Sequence, residues 1–284
     1  MRRASASGDY ITILQPCQCV LFYPSCYYIY TPGWRNGRRT SLRSWREQSH
    51  GGSSPLPGTM IKIIFENQDI IVVDKPAGLA VHPGVGTEEK TLVDLMLEKF
   101  PEIKTVGDAP KIRPGIVHRL DKKTSGVMVV ARNQKTFEYL KGLFKNRQIE
   151  KKYLALVFGK LKEKEGKIEG EMGRSKKDFR KQALVRGKIS VRKERYSLTF
   201  YKVKKELENY SLLEVFPKTG RMHQIRVHLH SIGHPIVGDK KYTFKEFKNI
   251  SAPRMFLHAN SISFIGPDNE KYFFESELPD SFLI

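Results

Sequence analysis

Short β-rich runs separated by little more than a turn constrain this chain's fold more than any other feature. "IKIIF" (61–65) and "IIVVD" (70–74) flank the turn-prone Glu66-Asn67-Gln68-Asp69, and Lys75-Pro76 closes the second run because proline cannot donate to a ladder. "RYSLTFYKV" (195–203) and "YSLLEVFP" (210–217) are a second such pair, joined by a charged turn. "GVMVVAR" (126–132), "KKYLALVFG" (151–159) and "RMFLHANSISFI" (254–265) read as further strands. Helices are fewer. "TLVDLMLEKF" (91–100) has Thr91 as a cap with Asp94 three residues on, "QKTFEYLKGLFKN" (134–146) has an apolar stripe of Phe137, Leu140 and Phe144, and "RMHQIRVHLHSIG" (221–233) reads as a short helix ending at Gly233. Residues 160–194 are very basic with weak periodicity, so a hairpin region with loops is expected there. Strands outnumber helices and several are hairpin neighbours. The expected fold class is α+β, with a mixed, mostly antiparallel sheet flanked by helices and loops rather than a doubly wound one.

The first 59 residues differ from the rest. They hold all three cysteines (Cys17, Cys19, Cys26), both tryptophans (Trp34, Trp45), seven arginines and no lysine. Pro16 and Pro24 break their apolar stretch, which makes a poor transmembrane helix and a poor signal peptide. The expected organisation is a disordered or foreign extension over 1–59 and a catalytic domain over 60–284, and Met60 is a candidate for the true start. A cysteine-free body suits a cytoplasmic protein that needs no disulfides.

The formal net charge is +20, from 50 Lys and Arg against 30 Asp and Glu. Basic residues are dispersed through the body, which points to a polyanionic partner, and nucleic acid before a membrane surface. Familiar small-molecule sites are absent. "GVGTEEKT" (84–91) carries Glu89 where a phosphate loop needs glycine. The histidines at 223, 228, 230 and 234 lack cysteine or paired carboxylates to complete a metal site, so they read as phosphate contacts or polar packing.

"HRLDKKTSG" (118–126) sets one aspartate among cations. Taken alone, Asp121 reads as a turn aspartate ahead of Thr-Ser-Gly. Together with "VMVVAR" and with "KTGRMHQIRVHLHSIGHPIVGDKKY" (218–242), however, it resembles the signature motifs of RNA pseudouridine synthases of the RluA type. "DIIVVDKPAGLAVHPG" resembles that family's first motif and "KKYLALVFG" the stretch that supplies its active-site tyrosine, so four motifs follow in family order from about residue 61 to the C-terminus. No S4 RNA-binding domain is recognisable ahead of them.

The resemblance implies the pseudouridine synthase fold. It also implies a reaction in which a uridine of RNA is detached at N1, turned and rejoined through C5, with no cofactor and no metal. Asp121 would be the nucleophile, attacking either the ribose or the base. The surrounding cations would favour its charged form and attract the RNA backbone. Arg226 matches the arginine that pairs with the aspartate, and Tyr153 the tyrosine that stacks on the target base and assists proton removal at C5. Arg119 would help fill the gap left by the extruded base, since a stacked nucleotide cannot be reached. Lys122, Lys123, Lys218 and Arg221 are expected phosphate contacts, with His223 beside them in substrate binding. His118 is expected to position the loop, and Gly126 and Gly220 to permit tight turns or close approach. The expected partner is structured RNA, ribosomal before transfer RNA, with no DNA or membrane and a monomeric enzyme. A non-catalytic RNA-binding module and a base-releasing N-glycosylase are the rival classes.

Overall fold

A computed structural model describes residues 61–84, 89–187 and 189–282; the extension expected over 1–59 lies outside the described residues. Ten strands and three α-helices follow in the order β1 (Lys62–Glu66), β2 (Ile70–Lys75), α1 (Leu92–Lys99), β3 (Ser125–Ala131), α2 (Gln134–Lys145), β4 (Glu150–Phe158), β5 (Glu165–Ser175), β6 (Gln182–Leu184), β7 (Val191–Glu206), β8 (Tyr210–Pro217), α3 (Gln224–Ser231), β9 (Leu257–Ile265) and β10 (Lys271–Glu275). Among the described residues one sheet contains every strand, in the order β1-β2-β3-β9-β4-β8-β7-β5-β6, with β10 also on β9. The expected α+β class with a mixed, mostly antiparallel sheet is what the chain adopts. Among the named strand pairs only β3–β9 is parallel, and it has just two rungs, Ser125↔His258 and Gly126↔Ala259.

That short parallel junction shapes the site. Beyond its two rungs the edge of β3 is taken by the chain ahead of it: Ile116 bridges Val130, and the Val129 N–H donates to His118 Nε2 at 3.0 Å. The chain must therefore reverse between residue 118 and Ser125. It does so through a turn in which the Thr124 N–H donates to the Asp121 carbonyl at 3.0 Å. His118, stacked on Phe144 of α2 at 4.7 Å, anchors the loop as expected. Gly126 is needed where β3 meets β9: its φ is +116°, and a Cβ there would lie 2.1 Å from the Ala259 carbonyl oxygen. Gly220 has no such constraint, with open space around it.

The helices form where their sequences provide ends and faces. Thr91 and Asp94 complete a capping box on α1, and the Asn133 side chain accepts from the Thr136 N–H at the start of α2. Leu92, Val93 and Met96 pack with Ile71, Val73 and Met128 on one side of β2 and β3. Phe137 and Leu140 pack with Ile70, Val72 and Val129 on the other. A third cluster joins β4 and β8 to Ile225, Val227 and Leu229 of α3. The third helix is shorter than the expected 221–233, because His223 is left-handed (φ 57°, ψ 19°) and stops it from starting earlier. The basic 160–194 stretch holds β5, β6 and the start of β7. Its buried apolar positions, Leu161, Ile168, Met172, Leu184 and Val191, are sparse and lie among charged and exposed neighbours, so alternation is swamped. Among the described residues no helix is long and apolar enough to cross a membrane.

Candidate active site

Asp121 lies at the mouth of a cleft of about 280 Å³ whose lining also includes Arg119, Tyr153, Arg221, His223 and Arg226. Six of the nine residues expected in catalysis or substrate binding thus converge from four places in the chain: the 118–124 turn, β4, the loop after β8, and α3. Lys122, Lys123 and Lys218 do not line it. Lys122 is paired with Glu89 at 2.7 Å on the surface, Lys123 is exposed, and Lys218 lines a neighbouring groove. Arg119 holds His82 through Nη1–Nε2 at 3.1 Å, on the rim.

The centre of the site is a carboxylate–guanidinium–carboxylate relay. Arg226 donates from Nη1 to Asp121 Oδ2 at 2.9 Å. On its other edge it donates from Nε and Nη2 to the two oxygens of Asp239, at 2.7 and 2.9 Å. Asp239 is in turn fixed by the Lys241 and Tyr242 N–H groups. The Arg226 side chain is 7% exposed and that of Asp239 1%, against 21% for Asp121. The guanidinium is thus locked from behind, and one N–H is aimed at the carboxylate that faces the cleft. Burial opposes the charge of Arg226, but the hydrogen bonds and charge of Asp239, then of Asp121, outweigh it and hold the arginine firmly protonated. Burial likewise opposes the charge on Asp239, and Arg226 outweighs it, keeping that carboxyl below its usual range. The Tyr242 ring lies 5.0 Å from the guanidinium carbon.

Tyr242 also sets His223. The Gln182 N–H donates to the Tyr242 hydroxyl at 2.8 Å, and that hydroxyl lies 2.8 Å from His223 Nδ1. Burial, only partly opposed by Asp121, pushes His223 down to about 4. The ring is neutral at physiological pH, so its Nε2, 3.9 Å from Asp121 Oδ2, is no ion-pair partner there. Burial, with Asp121 nearby, pushes the Tyr153 phenol well up, so it stays protonated.

Gln224 organises the loop ahead of α3. It accepts from the Thr219 hydroxyl and the Arg221 N–H and donates to Leu198 O and Thr199 Oγ1. Below the Asp121 turn, fully buried Lys75 donates to the carbonyls of Pro76 and Leu79 at 2.8 Å and of Lys122 at 3.3 Å. Burial pushes Lys75 down to about 7, with Asp121 opposing.

Asp239, Tyr242, Gln224 and Lys75 were not singled out from sequence. For Asp239 a signal existed: it is the only acidic residue in 218–242, a stretch with nine basic or histidine neighbours. No group of three or more His, Cys, Asp or Glu side chains among the described residues is arranged to hold a metal ion.

The model of the RNA pseudouridylate synthase family matches residues 69–231. An RNA pseudouridine synthase of Aquifex aeolicus is 41% identical over 232 residues, covering 78% of this chain and 71% of that protein. One from Synechocystis is 38% identical over 207 residues, covering 73% of this chain and 62% of that protein. The ribosomal large subunit pseudouridine synthase D of Borreliella burgdorferi is 38% identical, covering 79% and 67%. Among solved structures, human RNA pseudouridylate synthase domain containing 1 superposes with a TM-score of 0.66 at 27% identity, covering 78% of this chain and 86% of that one.

Proposed function

The chain belongs to the RNA pseudouridine synthases of the RluA type, and from that premise we propose that it converts uridine to pseudouridine in ribosomal RNA with Asp121 as the nucleophile. One observation carries the assignment: Asp121 is the partly exposed end of a relay whose other members, Arg226 and Asp239, are buried. A carboxylate that lines a cleft, with one oxygen bonded to Arg226 and no donor competing for the other in the relay, is suited to attack carbon. The choice of ribosomal RNA rests on the names of similar proteins, such as the synthase D of Borreliella burgdorferi.

The reaction breaks the N1–C1′ bond and forms C5–C1′. The hydrogen at C5 leaves as a proton, and N1 gains one. Asp121 bonds to substrate carbon and is later released, whichever carbon it takes. Arg226 holds its free oxygen and balances its charge without moving, because Asp239 occupies the remaining edge of the fork. Tyr153, kept as a phenol by burial, offers the base an aromatic face. A resting phenolate would be the better acceptor for the C5 proton, so stacking is its main role. Arg119, on the rim, takes the space vacated by the extruded base. Arg221 and His223 contact the RNA from the loop ahead of α3, and Lys122, Lys123 and Lys218 add phosphate contacts around the cleft. The catalytic domain is the segment from Met60 onward.

Ribosomal RNA labelled with tritium at uridine C5 tests this reading. Release of tritium with chain length and base content preserved is the expected result. Free uracil would make the protein a glycosylase, and binding with neither product would make it an RNA-binding module.

A further inference from the structure

A second concavity, a groove of about 820 Å³, shares Lys151 and Pro217 with the active-site cleft. Its floor is sheet. Ser263 of β9 lies opposite Phe273 of β10 and Glu150 of β4, and Ser261 lies opposite Lys152. The two serines keep the middle low. At one side stands Phe273, 57% exposed; at the other Phe200, 38% exposed, pairs across the strands with half-buried Phe216. Phe273 on β10 and Phe200 on β7 stand four strand spacings apart, roughly 19 Å. No part of the proposed chemistry uses these phenylalanines, and large exposed aromatics on a sheet face mark a contact surface.

The charge around them is one-sided. Arg147, Lys151, Lys152, Lys218 and Lys271 line the groove, with Glu150 as the opposing carboxylate. Lys152 is partly engaged by Glu275 at 3.6 Å. Arg147 lies near enough to Arg221 of the cleft for the two charges to repel, and Lys151 lines both concavities. Aromatic faces interleaved with cations on an open sheet suit single-stranded nucleic acid, whose bases are free to stack; paired bases have no face to offer.

We propose that this groove is the track for a single-stranded segment of the same RNA that carries the target uridine, with bases stacked on Phe200 and Phe273 and phosphates held by the surrounding cations. The inference rests on the proposed function for the identity of the RNA, while the stacking surface stands on its own geometry.

The test uses the full chain and two probes: a fluorescent oligocytidylate RNA of about a dozen nucleotides, which has no uridine to offer the cleft, and a blunt RNA duplex. The exchange of both Phe200→Ala and Phe273→Ala should weaken oligocytidylate binding at least about tenfold, as loss of base stacking on two aromatics implies. Duplex affinity and the salt dependence of binding should stay as in the wild type, since the cations are untouched. Phe273→Trp, which keeps a stacking face, should retain wild-type affinity. Thermal unfolding of each variant separates misfolding from lost contact. Oligocytidylate binding that is undetectable in the wild type, or equal in the double variant, overturns the proposal, and a groove that instead takes a protein partner would give that result. Tritium release is scored separately, so loss of the isomerase reading and loss of the stacking track cannot be confused.

Discussion

Asp239→Asn is the sharpest perturbation of the relay. Asparagine keeps the shape and one carbonyl oxygen, enough to accept from the Lys241 and Tyr242 N–H groups as Oδ1 does now. It replaces the other oxygen by an NH₂ that faces the Arg226 Nε–H 2.7 Å away, donor against donor. One charge-assisted hydrogen bond is lost, worth about 1.5–3 kcal/mol. The buried guanidinium also loses one of its two neutralising charges. Complete removal of a buried partner costs about 3–5 kcal/mol. Asp121 still balances part of the charge here, so a destabilisation of about 2–4 kcal/mol is expected. The arginine, no longer gripped from behind, should turn toward Asp121 or out of line with it, and turnover should fall at least about tenfold, or 1.4 kcal/mol of barrier. Urea unfolding gives the first number and tritium release under saturating RNA the second. A variant with wild-type stability and wild-type turnover would refute the idea that Asp239 holds Arg226 in place.

Other outcomes follow from the same geometry. Arg226→Lys should recover little activity, because an ammonium cannot bridge both carboxylates as the fork does; single-turnover tritium release measures it. Gly126→Ala should strongly destabilise the fold or block it, since a Cβ would sit 2.1 Å from the Ala259 carbonyl in a left-handed backbone; thermal unfolding reads this. Lys75 has its folded pKa lowered to about 7 from 10.5. Through that window the unfolded chain binds a proton that the folded chain does not, so stability contributed at this site rises as pH increases from 7 to 10.5. Lys75→Met should flatten that rise relative to wild type, as shown by unfolding free energies at several pH values. A chain begun at Met60 should retain turnover and melting temperature at physiological salt, and binding at low salt should weaken slightly as the leader's seven arginines are lost.

Most of the strand content was legible because hairpin neighbours such as 195–203 and 210–217 carry their turn between them. The start of α1 was legible because Thr91 and Asp94 cap it locally, and α2 because its apolar stripe of Phe137 and Leu140 recurs at helical spacing. β10 was not, since "KYFFE" is five residues long and gains its identity only by pairing with β9. β5 and the start of β7 were blurred because their outward positions are charged, and the glycines of β5 dilute its alternation further. In the site, Asp121, Tyr153 and Arg226 came from matching motifs, and their convergence depends on β3 and β9 meeting over two rungs, which no local pattern encodes. Lys75 gave no sign of its role, since burial under the Asp121 turn is a tertiary property, whereas Asp239 was readable as a lone acid in a basic stretch. The pairing of Lys122 with Glu89 was not legible either, because the two lie 33 residues apart in the chain.

The measurement that bears most directly on the account is tritium release from C5-labelled ribosomal RNA by Asp121→Asn beside the wild type, with RNA affinity determined on the same samples. The exchange preserves shape and removes the nucleophile. The account predicts release by the wild type, none by the variant, and nearly equal RNA binding. Release by the variant at a rate near that of the wild type would contradict it.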